Sequence, residues 1–158
     1  MLKKNGNRVI ITDIRAFSNK SKKTEESLSK NKSDKIVNTF IFYNGHIQKH
    51  AEKHDNRPDV PDDWIADKDI SYWKDPIKSR KLLKYTLITY KKDLIDFVMD
   101  NSVNVMTLKV KCNYPVGYLC REGDNVWRKV NWICIVIQKT RKGGLFTKTY
   151  YPCANPNK

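Results

Sequence analysis

Long hydrophobic runs are missing from this sequence: no apolar stretch approaches the roughly 18 residues that a membrane-spanning helix needs, so a helical membrane protein is excluded. Cysteine is sparse. The four thiols, Cys112, Cys120, Cys134 and Cys153, are too few for a disulfide scaffold and show neither a C-x-x-C pair nor zinc-finger spacing, so a metal site built on thiolates is not expected. Buried thiols in a reducing compartment are the expected state, although Cys112 and Cys120 flank a turn at residues 113–117 and could be bridged in a suitable register. Six glycines exclude a collagen repeat. The first twenty residues carry only the short apolar patch Val9-Ile10-Ile11, so secretion by a signal peptide is not expected. Acid is scarce as well: 17 Asp and Glu stand against 31 Lys and Arg, a formal net charge of +14 that favours a polyanionic partner.

What is present suits one domain with an appendage. At 158 residues and 39% hydrophobic content the chain can build one modest core. Residues 1–40 carry ten basic and four acidic side chains, residues 41–80 seven and eight, and residues 81–158 fourteen and five, which concentrates the positive charge in the C-terminal half. Residues 19–35 contain one apolar side chain, Leu28, and have nothing to bury against their ordering entropy, so they are expected to be a linker or mobile loop. With a peripheral strand at residues 8–17, this makes 1–35 an appendage and 36–158 a single basic domain.

Residues 35–43 (KIVNTFIFY) are β-branched and aromatic and run into Asn44-Gly45, which predicts a strand and a turn. Residues 45–55 (GHIQKHAEKHD) have the composition of a short helix, stopped by Pro58 and Pro61. The acidic stretch 59–76 reads as a loop anchored by Trp64 and Trp73. KLLKYTLITY suits a strand by residue type while KKDLIDFVMDN has the spacing of an amphipathic helix. Four strands follow at 105–112, 115–121, 126–138 and 144–152, an antiparallel meander whose apolar WICIVI segment should be central. The expected fold class is α+β, with N-terminal helices packed on this C-terminal meander.

Strand alternation places Thr107, Lys109 and Lys111 on one side of their strand, and groups Leu145, Thr147, Thr149 and Tyr151 as a hydroxyl ladder on the last. The ladder also has an ordinary explanation, since Thr and Tyr are common strand formers. All three histidines, His46, His50 and His54, recur every four residues, which keeps them near one helix face with a drift of about 40° per step. Histidine titrates near neutrality, so this cluster is the clearest local sign of proton-transfer chemistry. A solvated helix face is the plain alternative. HIQKHAEKH lacks the H-E-x-x-H order of a zinc protease, and no metal or cofactor is expected, although Glu52 or Asp55 could complete a site.

Two segments, GHIQKH and the closing strand ending Thr149-Tyr150-Tyr151-Pro152 after a hydrophobic strand and a Gly-containing turn, resemble the ribonuclease superfamily that groups barnase, EndoU, colicin D and RelE, in its toxin or phage branch. The resemblance covers residues 36–153. It implies a metal-independent endoribonuclease that transesterifies RNA to a 2′,3′-cyclic phosphate, a toxin domain acting on tRNA or other cellular RNA. In that reading His46 and His50 are the acid and base and His54 a spare contact. Thr149 would bond the scissile phosphate and Tyr151 would orient it or stack on a base, with Lys109, Lys111, Arg128 and Thr147 as substrate-binding residues. It further implies action in the cytoplasm, delivery there as a secreted toxin domain, and an acidic immunity or antitoxin protein as partner. Two other classes fit the composition: a non-enzymatic nucleic-acid-binding protein using Tyr85, Tyr90, Trp127 and Trp132, and a structural protein whose basicity only mirrors a Lys- and Asn-rich genome.

Overall fold

The structure, a computed structural model, describes residues 6–13, 28–43 and 53–157. Its mixed α+β architecture agrees with the expected class. Among the described residues there are three helices, α1 (Leu28–Tyr43), α2 (Pro76–Thr89) and α3 (Lys91–Met99). Seven strands accompany them: β1 (Gly6–Asp13), β2 (Ile70–Trp73), β3 (Val103–Lys111), β4 (Gly117–Cys120), β5 (Arg128–Val130), β6 (Trp132–Lys139) and β7 (Leu145–Cys153).

α1 occupies the stretch expected to be a strand, and begins inside the stretch expected to be a linker. Its buried positions, Ser33, Val37, Phe40 and Ile41, fall at helical spacing. Burying that stripe outweighs a β-propensity that spans only about 1 kcal/mol. α2 resolves the ambiguity of KLLKYTLITY in favour of helix: Pro76 sits in the first turn, and the Asp75 carboxylate caps it by accepting the Lys78 N–H at 3.1 Å. Leu82, Leu83 and Leu87 then face inward. α3 is the expected amphipathic helix, with Leu94, Ile95 and Phe97 buried. The helix expected at 45–55 lies mostly outside the described residues, and its end, residues 53–56, is a turn.

The meander divides between two sheets. β3, β6 and β7 are antiparallel neighbours in a sheet of order β1-β3-β6-β7, with β1 parallel to β3 at the edge. β4 and β5 leave it to pair with β2, a strand inside the expected acidic loop, in a smaller antiparallel sheet of order β2-β4-β5. The switch occurs at Asn131, where the expected strand 126–138 breaks. There the Asn131 carbonyl accepts the Cys112 N–H at 2.7 Å, and the Asn131 side-chain amide donates to the Cys112 carbonyl at 3.2 Å. WICIVI is central, as expected: Ile133, Ile135 and Ile137 are fully buried beneath the helices with Met106, Leu108, Val110 and Tyr150. A fully buried isoleucine of this kind contributes about 1.5–3 kcal/mol of burial. The small sheet abuts the end of β7 through Gly117, where a side chain would collide with the Tyr72 carbonyl and the Pro152 ring. The four cysteines are free and buried, and Trp73 is the buried anchor expected of it, while Trp64 is only partly covered.

Candidate functional site

The strands that bury isoleucines on one face present a different row on the other. Lys109 of β3 lies opposite Cys134 of β6, which lies opposite Tyr151 of β7; in the next row Thr107, Val136 and Thr149 align. Between these rows and the small sheet runs a cleft of about 660 Å3, lined by His54, Ser71, Lys109, Thr149 and Tyr151, with Lys53, Lys68, Asp69 and Arg121 at its charged margin. Four cations and one carboxylate therefore surround it.

The β7 side of the cleft depends on a bulge. Val136 pairs with Thr149 but the next residue, Ile137, pairs with Thr147, so one step on β6 meets two on β7. Thr149 and Tyr151 consequently face the cleft, while Thr147 turns to the helix side, is fully buried, and finds no hydrogen-bond partner among the described residues. Thr147 does not line the cleft. Lys111 and Arg128 are exposed and do not line the cleft. Lys109, Thr149 and Tyr151 line the cleft together.

The third histidine, not the first two, is the one seen here. His46 and His50 lie outside the described residues. His54 is partly buried, donates its Nδ1–H to the Ser71 carbonyl at 2.8 Å, and stacks on the Tyr151 ring with centroids 5.5 Å apart and planes at 29°. Because a carbonyl can only accept, this bond places a proton on Nδ1, and in the neutral ring Nε2 keeps its lone pair. Burial lowers the His54 pKa below its ordinary value, with Lys53 adding to the effect; the Ser71 bond and Asp55 oppose it. The ring is thus held neutral with one nitrogen able to accept a proton. The segment is fixed from below by Asp55, whose carboxylate takes a 2.8 Å ion pair from Arg80 of α2, and by the His54 carbonyl, which accepts the Trp73 N–H at 2.6 Å.

Tyr151 is a neutral donor. Burial, then the hydrogen bond from its hydroxyl to the Cys134 sulfur, pushes its pKa well above the usual phenol value. The neighbouring thiols are not nucleophiles: burial holds Cys134 above its normal range and pushes Cys153 up to about 12, so both stay protonated at neutral pH. Arg121 meets Asp69 at 3.4 Å with both side chains about half exposed, a weak pair that leaves the guanidinium available. Sequence reasoning missed Ser71, Lys68 and Arg121, because only the pairing of β2 with β4 brings those residues to β7. Among the described residues no cluster of three His, Cys, Asp or Glu could hold a metal ion. Chemically, the cleft can seat an anion against Lys109 and Arg121, donate hydroxyl hydrogen bonds from Thr149, and accept a proton at His54 Nε2.

No protein-family model matches the chain, and no curated protein matches it either. In fold it is similar to a chain in the crystal structure of a CdiA-CT/CdiI complex from Y. kristensenii 33638, with a TM-score of 0.50 and 12% sequence identity over 75% of this chain and 98% of that one. No described helix is long and apolar enough to cross a membrane.

Proposed function

We propose that the protein is a metal-independent endoribonuclease, the catalytic domain of a delivered toxin that cleaves tRNA or other cellular RNA in the cytoplasm of a target cell. One observation carries this reading: a neutral histidine with its Nδ1 proton tied to a carbonyl sits beside Tyr151 and Thr149 in a cleft rimmed by lysine and arginine. The chemistry needs those parts. A base takes the proton of the 2′-OH, the oxygen attacks phosphorus, and the 5′-oxygen departs with a proton, leaving a 2′,3′-cyclic phosphate. His54 serves as the base and Thr149 and Lys109 stabilise charge on the phosphorane; Tyr151 holds the histidine ring by stacking. The departing oxygen takes its proton from His46 or His50, which follow from the resemblance to the barnase, EndoU, colicin D and RelE superfamily. The toxin half of the reading, and with it an acidic immunity or antitoxin protein as partner, follows from the same resemblance; the likeness to a chain of the CdiA-CT/CdiI complex is one of fold.

Incubation of the purified protein with total RNA in EDTA tests the proposal. Cleavage that ends in 2′,3′-cyclic phosphates and is lost in His54→Ala, Thr149→Ala and Tyr151→Ala supports it; intact RNA overturns it, as does full activity in all three folded variants. Parallel His46→Ala and His50→Ala variants identify the acid. The rival reading, a nucleic-acid-binding protein without catalysis, draws on partly exposed aromatics of the small sheet: Tyr72 stacks on Tyr118 at 5.0 Å, and Arg57 lies 5.6 Å over the Trp127 ring. Salt-sensitive binding to RNA that stays intact would favour it.

A further inference from the structure

Helix α2 contributes no residue to the lining of the cleft, yet it is tied from behind to the histidine there. Arg80 of α2 donates from Nη2 to the Asp55 carboxylate at 2.8 Å, across 25 residues, and from Nη1 to the Pro76 carbonyl of its own first turn at 3.4 Å. Asp55 depends on that partner. Its side chain is 18% exposed, its second oxygen is buried with no hydrogen-bond partner among the described residues, and Arg80 is the one ion pair it makes among them. Removing one member of a partly buried pair leaves the other charge uncompensated, so the link holds more firmly than an exposed one. α2 is in turn anchored to the sheet, because the buried Tyr150 hydroxyl donates to the Ser79 carbonyl at 2.7 Å. The contacts then close on themselves. Tyr150 and Tyr151 are neighbours on β7 that point to opposite faces; Tyr150 reaches Ser79, the next residue Arg80 holds Asp55, and the adjoining His54 stacks on Tyr151.

We propose that Arg80 is a positioning residue for His54: acting through Asp55, it holds the imidazole against the Ser71 carbonyl and the Tyr151 ring without itself touching the substrate. The role of His54 as a base rests on the RNA reading above; the clamp on its ring does not. Electrostatics gives the clamp a sign. Asp55 raises the His54 pKa against the larger lowering by burial, and the Arg80 guanidinium offsets that carboxylate. The other titratable groups lining the cleft are Lys53 on the same segment, Lys109 on β3, Tyr151 and Cys153 on β7, and Lys68, Asp69 and Arg121 beside the small sheet. All of them stay in place when Arg80 is replaced.

Steady-state cleavage of RNA and NMR titration of the His54 ring, assigned by its absence in His54→Gln, test the role in the full chain. In Arg80→Met, kcat is expected to fall about ten- to a hundredfold with KM within about twofold of wild type. Its His54 pKa should rise, since the unshielded Asp55 charge and a loosened burial both act in that direction, and the acid limb of kcat should move to higher pH with it. Arg80→Lys, which keeps the charge, should recover most of both. Replacing Arg80 in an Asp55→Asn background should have a smaller effect than in wild type. A folded Arg80→Met with unchanged kcat and unchanged His54 titration overturns the proposal. So does a rise in KM at constant kcat, which would make Arg80 a substrate contact, or an effect as large in Asp55→Asn as in wild type. Arg80→Gln, which keeps a donor to Asp55 but no charge, decides the question if Arg80→Met does not fold: its His54 pKa should also rise, and an unchanged titration overturns the proposal. A His54 titration that responds to Arg80 in a protein that leaves RNA intact removes the nuclease reading alone; cleavage indifferent to Arg80 removes the positioning role alone.

Discussion

On one face of the four-stranded sheet, Met106, Leu108, Ile133, Ile135 and Tyr150 are sealed under three helices; on the other, the same strands carry Lys109, Cys134, Thr149 and Tyr151 along an open cleft. The first face is made by burial, and its side chains are interchangeable with others of similar volume. The second is made by chemistry, because each polar group has a defined neighbour: His54 against the Ser71 carbonyl, and Tyr151 between the His54 ring and the Cys134 sulfur. The two faces meet at the β7 bulge, where one extra residue sends Thr147 inward and keeps Thr149 and Tyr151 at the cleft. A period of two alone would have left all three on one side.

Substitutions can separate the faces. The largest effect is expected from His54→Ala, which should reduce RNA cleavage by about 10²–10⁴-fold with the melting temperature near wild type, measured by single-turnover kinetics and circular dichroism. Retained cleavage would move the base to His46 or His50. Ile135→Ala should do the opposite, costing about 2–5 kcal/mol in denaturant unfolding while the folded fraction keeps its rate. Loss of rate in the folded fraction would mean that the faces are coupled. Next, Lys109→Ala should lower the salt dependence of RNA binding by about one unit of slope, whereas Lys111→Ala, two residues along the same strand but outside the cleft, should weaken it less. Equal slopes would show a diffuse surface instead of a cleft.

The smallest effect is one of pH. Burial lowers the His54 pKa in the folded chain, so between its folded value and about 6.5 the unfolded chain binds the extra proton. The stability contributed by the neutral ring is complete above that window and is lost as pH falls through it. The melting temperature should decline on acidification below about 6.5, and His54→Gln should flatten that part of the profile. An identical slope in the variant would assign the effect to other groups.

Much of this contrast could be read directly along the chain. WICIVI had to be central because it is apolar on both faces, and alternation in 145–153 put Thr149 beside Tyr151. α3 was legible from its spacing, and the α+β class followed from the order of helical and strand patterns. α1 was misread because Ile36, Val37, Phe40, Ile41 and Phe42 satisfy both periods loosely, and β-branched content was allowed to decide. The capping pair Asp75-Pro76 was a usable local signal for α2. The histidine spacing singled out a titratable stretch, and of its three members His54 lies among the described residues and lines the cleft.

Composition, charge and local period are properties of neighbouring residues, and they determined the basic character of the chain, the central strand, the Thr-x-Tyr pair and the free thiols. Which strands share a sheet depends on loop closure and on packing between residues far apart in sequence. Only the tertiary structure therefore decided that Asn131 would divide the meander, that the bulge would withdraw Thr147, and that pairing of β2 with β4 would bring Ser71 and Arg121 to His54 and Tyr151.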